Sequence, residues 1–137
     1  MKTEISNVVK LYRVENAAGE GMYRSSAPDM VLNEMQEEGR HPTPNADTML
    51  REGVLKLLGL GYVNYDNWAF FKYGFVSLDQ MRAWIYANEW RESLHKNGFY
   101  ISVYECDERY FVAGNTQAVV KLDTPMILVD TISLMDL

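Results

Sequence analysis

The sequence predicts an α+β fold with a small mixed or antiparallel sheet and two to three helices, in a single domain of residues 1–137. Two observations predict this class. Helical patterns are concentrated before position 97, and three segments rich in β-branched residues follow one another after it. The length of 137 residues suits one domain, and no linker rich in Pro, Gly or Ser divides the chain.

The first predicted element is a strand at residues 7–15. Its side chains alternate between two faces, so Val9, Leu11 and Arg13 lie on the same one. An arginine among core-facing apolar residues needs an anionic partner, or it must open into a pocket. This strand is therefore a candidate location for a polar site.

The middle of the chain predicts two helices and a short strand. Residues 28–39 form a helix with a proline near its start and a glycine at its end. Two prolines make residues 41–45 a loop, and an apolar-rich helical stretch occupies residues 46–58. The aromatic segment that follows contains one short strand near residues 69–73.

The most strongly marked element is a single helix at residues 78–96. Ser77 and Gln80 form a capping box, in which the serine hydroxyl accepts from a backbone N–H of the first turn and the glutamine reaches back. Gly98 ends the helix. The apolar stripe of this helix comprises Leu78, Met81, Trp84, Ile85 and Leu94.

Three strands follow the helix, at residues 99–106, 117–122 and 126–132. Glu105 lies near the end of the first of them, after apolar residues of the same face. Two explanations of this residue stay open. In the first, Arg13 and Glu105 form an ion pair or leave the core at the ends of their strands. In the second, they line a polar cleft at one end of the sheet.

Composition excludes several kinds of function. The one cysteine, Cys106, permits no intramolecular disulfide and no thiolate metal site, and we expect no metal. The net charge of −6, with a pI near 4.9, disfavours direct binding to nucleic acid. No signal-peptide region and no apolar run of membrane-spanning length occurs, so we expect a cytoplasmic protein that does not contact the membrane.

Three short motifs resemble the ADP-ribosyltransferase fold. They are Leu11-Tyr12-Arg13-Val14, the segment from Tyr73 to Ser77 that runs into a helix, and the strand that begins at Gln117. The resemblance implies that Arg13, Tyr73 and Ser77 bind NAD. It also implies that Gln117 stands where the family carries its catalytic glutamate.

The resemblance makes catalysis doubtful at that position. An amide can hydrogen-bond a ribose hydroxyl, but it lacks the negative charge that stabilises a cationic transition state. Loss of such a charge typically costs about 10²–10³ in rate. Gln117 therefore implies either that catalysis is lost or that Glu105 supplies the carboxylate.

A second resemblance is to small bacteriophage proteins, and it depends on the order of five segments: LYRVEN, G-x-G-x-Y-R, HPTP, YGFVSLDQMRAW and NGFYISVYE. The resemblance implies an accessory protein in the host cytoplasm that binds and modulates a host protein, such as a defence protein, without catalysis and without a cofactor. The alternative is a mono-ADP-ribosyltransferase that uses NAD to modify a host protein. The oligomeric state is left open by the sequence.

Overall fold

The computed structural model describes residues 7–22, 43–63 and 65–137, and the predicted helix at residues 28–39 lies outside these ranges. Within them the chain forms six strands and three α-helices, in agreement with the predicted α+β class. In chain order these are β1 (Val8–Glu15), α1 (Thr48–Leu58), β2 (Phe71–Gly74), α2 (Leu78–Trp84), α3 (Asn88–Lys96), β3 (Tyr100–Asp107), β4 (Phe111–Ala113), β5 (Ala118–Lys121) and β6 (Ile127–Ile132).

The strands form two three-stranded antiparallel sheets rather than the one sheet predicted. The first sheet has the order β1-β3-β6 and the second has the order β2-β5-β4. Tyr12 in β1 and Phe75 after β2 exchange two backbone hydrogen bonds of 2.9 and 2.8 Å, which join the sheets. Gly74 permits this approach, since a Cβ there would lie 2.6 Å from the Tyr12 carbonyl oxygen.

The main core lies between one face of the first sheet and the two helices α2 and α3. This face consists of the alternate residues Val14, Ile101 and Val103, with Tyr12 and Ile132 at its margin. Fully or nearly fully buried side chains from the helices cover it: Met81, Trp84, Ile85, Trp90 and Leu94. A second cluster, which includes Leu50 and Val54 of α1, packs on the second sheet.

The predicted single helix at residues 78–96 is wrong, because the chain leaves the helix at Ile85 and begins α3 at Asn88. Ile85 and Leu94 are nine residues apart, which would place them about 180° apart on a straight helix. Both are nevertheless buried in the same core cluster. The break turns the two apolar faces towards one core, and the Arg91 Nε donates to the freed carbonyl oxygen of Ile85 at 2.8 Å.

The ends of the predicted strands lie within two residues of the observed ones, with the largest difference at the start of β2, and β4 was not predicted. A segment of three residues is too short to show the alternation that identifies a strand. Its pairing with β5 depends on the turn between the two strands, where the Gly114 N–H donates to the Gln117 carbonyl oxygen at 2.8 Å.

The predicted cap of α2 is confirmed. The Ser77 hydroxyl accepts from the Gln80 N–H at 3.1 Å. The Gln80 side chain reaches back to the N–H of Val76, at 2.9 Å, and its amide also donates to the Gly114 carbonyl oxygen, at 3.1 Å. The same glutamine therefore completes the cap and ties α2 to the second sheet.

Replacing Ser77 with alanine should lower the free energy of unfolding by about 1 kcal/mol, because an N–H of the first turn loses its acceptor. Equilibrium urea denaturation measures this change. Ser77→Asp is the matched control, since aspartate also caps helices and should keep most of the stability. Equal losses in both variants would show that the cap contributes little.

Candidate functional site

Arg13 lies on the apolar face of β1 as predicted and is only 8% exposed. Its partner is Glu15, two residues along the same strand face, with 3.1 Å between Arg13 Nε and Glu15 Oε1. Arg13 Nη1 also donates to the carbonyl oxygen of Tyr73 at 2.8 Å. The guanidinium therefore bridges the two sheets, and of the alternatives that the sequence left open, the ion pair between Arg13 and Glu105 is not formed.

Glu15 is the centre of this polar network and is 4% exposed. One carboxylate oxygen bonds Arg13, and the other accepts a short hydrogen bond from the Tyr104 hydroxyl on β3. Burial, followed by the bond to Glu15 and its charge, raises the pKa of Tyr104 to about 12. Tyr104 hence stays protonated at neutral pH and keeps donating, so both carboxylate oxygens are engaged within the fold.

Glu105 and Arg13 lie on opposite faces of the first sheet. Glu105 shares a face with Lys10, its register partner on β1. Lys10 and Arg13 are three residues apart on β1, so their side chains point to opposite faces of the sheet. Gln117 is buried just before β5, in the other sheet. The predicted pair of catalytic positions is therefore divided between the two sheets, and Glu105 is turned away from the Arg13 side.

Tyr73 and Ser77, the other two residues that were expected to bind a cofactor, make contacts that build the fold. The Tyr73 hydroxyl donates to the Trp68 carbonyl oxygen at 2.6 Å, and the Ser77 hydroxyl caps α2. Of the five predicted residues, the structure brings Arg13 and Tyr73 into direct contact through the Tyr73 backbone. Sequence reasoning missed Glu15, although its spacing of two from Arg13 would have placed it on the same face.

A second buried carboxylate, Asp47, was also missed. Asp47 caps α1 by accepting from the Leu50 N–H, and it accepts from the N–H groups of Asn115 and Thr116 at 3.0 and 2.9 Å. It also accepts from the Thr116 hydroxyl at 2.9 Å. Gly114 leaves room for this contact, because a Cβ there would lie 2.6 Å from Asp47 Oδ2. The aspartate just before a helical segment was a recognisable cap signal.

The Asp47 carboxylate makes stability depend on pH. Burial raises its pKa, but the backbone donors of Asn115, Thr116 and Leu50 and the Thr116 hydroxyl outweigh burial and lower the pKa below its ordinary value of 3.8. The contribution of Asp47 is therefore complete above about pH 4 and is lost as the pH falls through the lowered pKa. The midpoint of urea unfolding should fall on acidification below pH 4, and less steeply in Asp47→Asn.

The buried thiol of Cys106 is not activated as a nucleophile. Burial, and then the charge of Asp107, raises the pKa of the Cys106 thiol, which disfavours the nucleophilic thiolate. Within the described ranges no three side chains of His, Cys, Asp or Glu are grouped so that they could hold a metal ion.

Two open cavities are lined by residues other than the five predicted site residues. One of about 260 Å³ is lined by Tyr100, Thr131, Ile132 and Ser133, where β3 begins and β6 ends. The other, of about 330 Å³, lies between α2 and the turn that precedes β5 and is lined by Asp79, Gln80, Ala83, Trp84, Asn115 and Thr116. Neither cavity is lined by Arg13, Glu105 or Gln117.

The most exposed apolar strand is β6, at the edge of the first sheet. Ile127, Leu128 and Val129 are 65%, 53% and 45% exposed. The outer edge of β1, at the other side of this sheet, is bridged to Phe75 and Gly21, whereas no described strand pairs with the outer edge of β6. Exposed apolar edge strands are a kind of surface at which another chain can add to a sheet.

Comparison with protein families matches residues 1–134 to the family described as Bacteriophage T4 Y00F protein. The chain belongs to this family. No curated protein and no solved structure matches the chain. Membership of the Y00F family confirms the expected likeness to bacteriophage proteins, whereas nothing in these comparisons supports a likeness to ADP-ribosyltransferases. No α-helix in the described part of this Y00F family member is long and apolar enough to cross a membrane.

Proposed function

We propose that this phage protein acts in the host cytoplasm by binding a host protein, without catalysing a reaction and without a cofactor. The observation that carries the proposal is the exposed apolar strand β6. Its residues Ile127, Leu128 and Val129 offer contact area on a strand whose outer edge no described strand covers.

The polar groups of the described core support a binding role over an enzymatic one. Glu15 accepts from both Arg13 and Tyr104, and Asp47 accepts four hydrogen bonds from the chain. A general base or nucleophile needs a lone pair that can reach a substrate. The bonds made by these groups instead join the two sheets and hold the start of α1 against the turn before β5.

Affinity capture from a lysate of the bacterial host tests the proposal. We expect the native protein to retain a host protein that Ile127→Asp fails to retain, since a charge on this exposed site opposes apolar contact without opening the core. Tyr62→Asp is the matched control, because Tyr62 is an exposed aromatic residue outside β6. Retention of no host protein by the native chain would contradict the proposal.

Incubation with labelled NAD and the same lysate tests the alternative, a mono-ADP-ribosyltransferase. We expect no transfer of label by the native protein. Transfer that is abolished in Glu105→Gln but not in Gln117→Ala would make Glu105 the catalytic carboxylate and would replace the binding proposal. If the scaffold does bind NAD, Gln117→Glu should increase NAD hydrolysis.

A further inference from the structure

The backbone of β6 offers hydrogen bonds to a further strand. Among the described strands β6 pairs with β3 only, and in an antiparallel strand alternate N–H and C=O groups point away from the paired neighbour, here on either side of the irregularity at Val129. At Thr131 the N–H is bonded at 2.8 Å by the Asp130 side chain of the same strand. Within residues 7–22, 43–63 and 65–137, no strand pairs with the outer edge of the segment from Ile127 to Asp130, and this segment is the part of the edge considered below.

The two faces of this segment differ in charge. The register between β3 and β6 shifts between Val103 and Tyr104, which leaves Val129 without a partner on β3. Because of this shift, Ile127 and Asp130 lie on the same side as Glu105 and Val103, at the margin of the face that packs against the main core, whereas Leu128 and Thr131 lie on the opposite side with Tyr104 and Ser102. The first face carries two carboxylates, and the structure has no ion pair between Glu105 and its other neighbour Lys10. The second face presents the exposed Leu128 beside the half-buried ring of Tyr104.

A strand that pairs with β6 would meet these faces with alternate side chains. On the side of Asp130, the added strand is expected to carry Lys or Arg. On the side of Leu128, it is expected to carry apolar side chains. A second copy of this chain fits poorly, because each copy carries a net charge of −6 and brings its own Asp130 to the edge.

We propose that β6 docks an extended segment of a partner protein in which basic residues alternate with apolar ones, added to the first sheet as a fourth strand. This inference rests on the proposed function and specifies the partner segment. Backbone hydrogen bonds supply much of the affinity in such strand addition, and the alternate side chains supply the specificity.

Nuclear magnetic resonance titration of the full chain with a capped peptide of three Val-Lys repeats tests the mode of binding. We expect saturable shift changes in the amides of β6 and the adjoining β3, and none with a Val-Glu peptide. Two further peptides carry N-methyl groups on all Val or on all Lys amides. Since only alternate amides of an added strand face β6, one of these peptides should bind and the other should fail.

Charge reversal at Asp130 tests the expected basic partner. Asp130→Lys should weaken binding of the Val-Lys peptide about tenfold, because an attraction becomes a repulsion at the edge. Asp136→Lys is the control, with the same change of net charge at an exposed site outside β6. Equal affinities of the two variants, or equal binding of both N-methylated peptides, would overturn the inference.

The failure of this inference is distinguishable from the failure of the proposed function. Capture of a host protein that Ile127→Asp leaves unchanged would keep the binding function and overturn docking at β6. Concentration-dependent dimers of the native chain that Ile127→Asp abolishes, in light scattering, would overturn the proposed occupant in favour of a second copy.

Discussion

Replacing Arg13 with methionine should lower the free energy of unfolding by about 3–5 kcal/mol, the largest effect expected of a charged residue here. The substitution keeps much of the side-chain volume but leaves the Glu15 carboxylate buried without its cation. It also removes the donor to the Tyr73 carbonyl oxygen, which ties β1 to β2. Equilibrium urea denaturation at pH 7 measures the loss.

The double variant Arg13→Met with Glu15→Gln is the control for this interpretation. Its neutral amide still accepts from the Tyr104 hydroxyl, and no buried charge is left uncompensated. We expect the double variant to recover much of the stability lost in Arg13→Met. A double variant that is as unstable as the single one would show that the lost donor to Tyr73, rather than the stranded charge, causes the effect.

Replacing Trp84 with alanine should lower the free energy of unfolding by about 3–5 kcal/mol, because the cavity left in the core cannot close fully. Trp84 is buried at the end of α2, with its ring edge-to-face against Phe75 at a centroid distance of 5.5 Å. Phe75 belongs to the segment that joins the two sheets. The cavity would therefore destabilise both α2 and the junction between the two sheets.

Thermal and urea unfolding of Trp84→Ala measure this effect against Tyr62→Ala. Tyr62 is an exposed aromatic residue, and its loss should change stability by less than about 0.5 kcal/mol. Unchanged stability in Trp84→Ala would contradict the placement of this ring in the core.

Local sequence patterns predicted most of the described elements correctly. The alternation in β1, the cap at Ser77 and the apolar segments of β3, β5 and β6 each depend on residues close to one another in the chain. The sequence also predicted that Arg13 lies among core residues and needs a partner. Backbone propensities, caps and face alternation are local properties, which explains why a single sequence determined them.

The partners of these elements were decided only by the tertiary structure. Arg13 bonds the Tyr73 backbone because two sheets meet at Gly74, which no local pattern of β1 indicates. The break of the predicted helix at Ile85 has the same kind of cause. Its residues are helical in pattern, but burying both Ile85 and Leu94 in one core requires two helix directions.

The contrast between β5 and β6 shows most clearly what the sequence alone could not determine. Both segments are apolar and β-branched, and the sequence predicts a strand for each. The apolar residues of β5 are fully buried at the centre of a sheet, whereas Ile127, Leu128 and Val129 of β6 are exposed at an edge. The sequence by itself determined that both are strands. Only the tertiary structure decided which one is buried at the centre of a sheet and which one is exposed at an edge, because strand order depends on contacts between residues far apart in the chain.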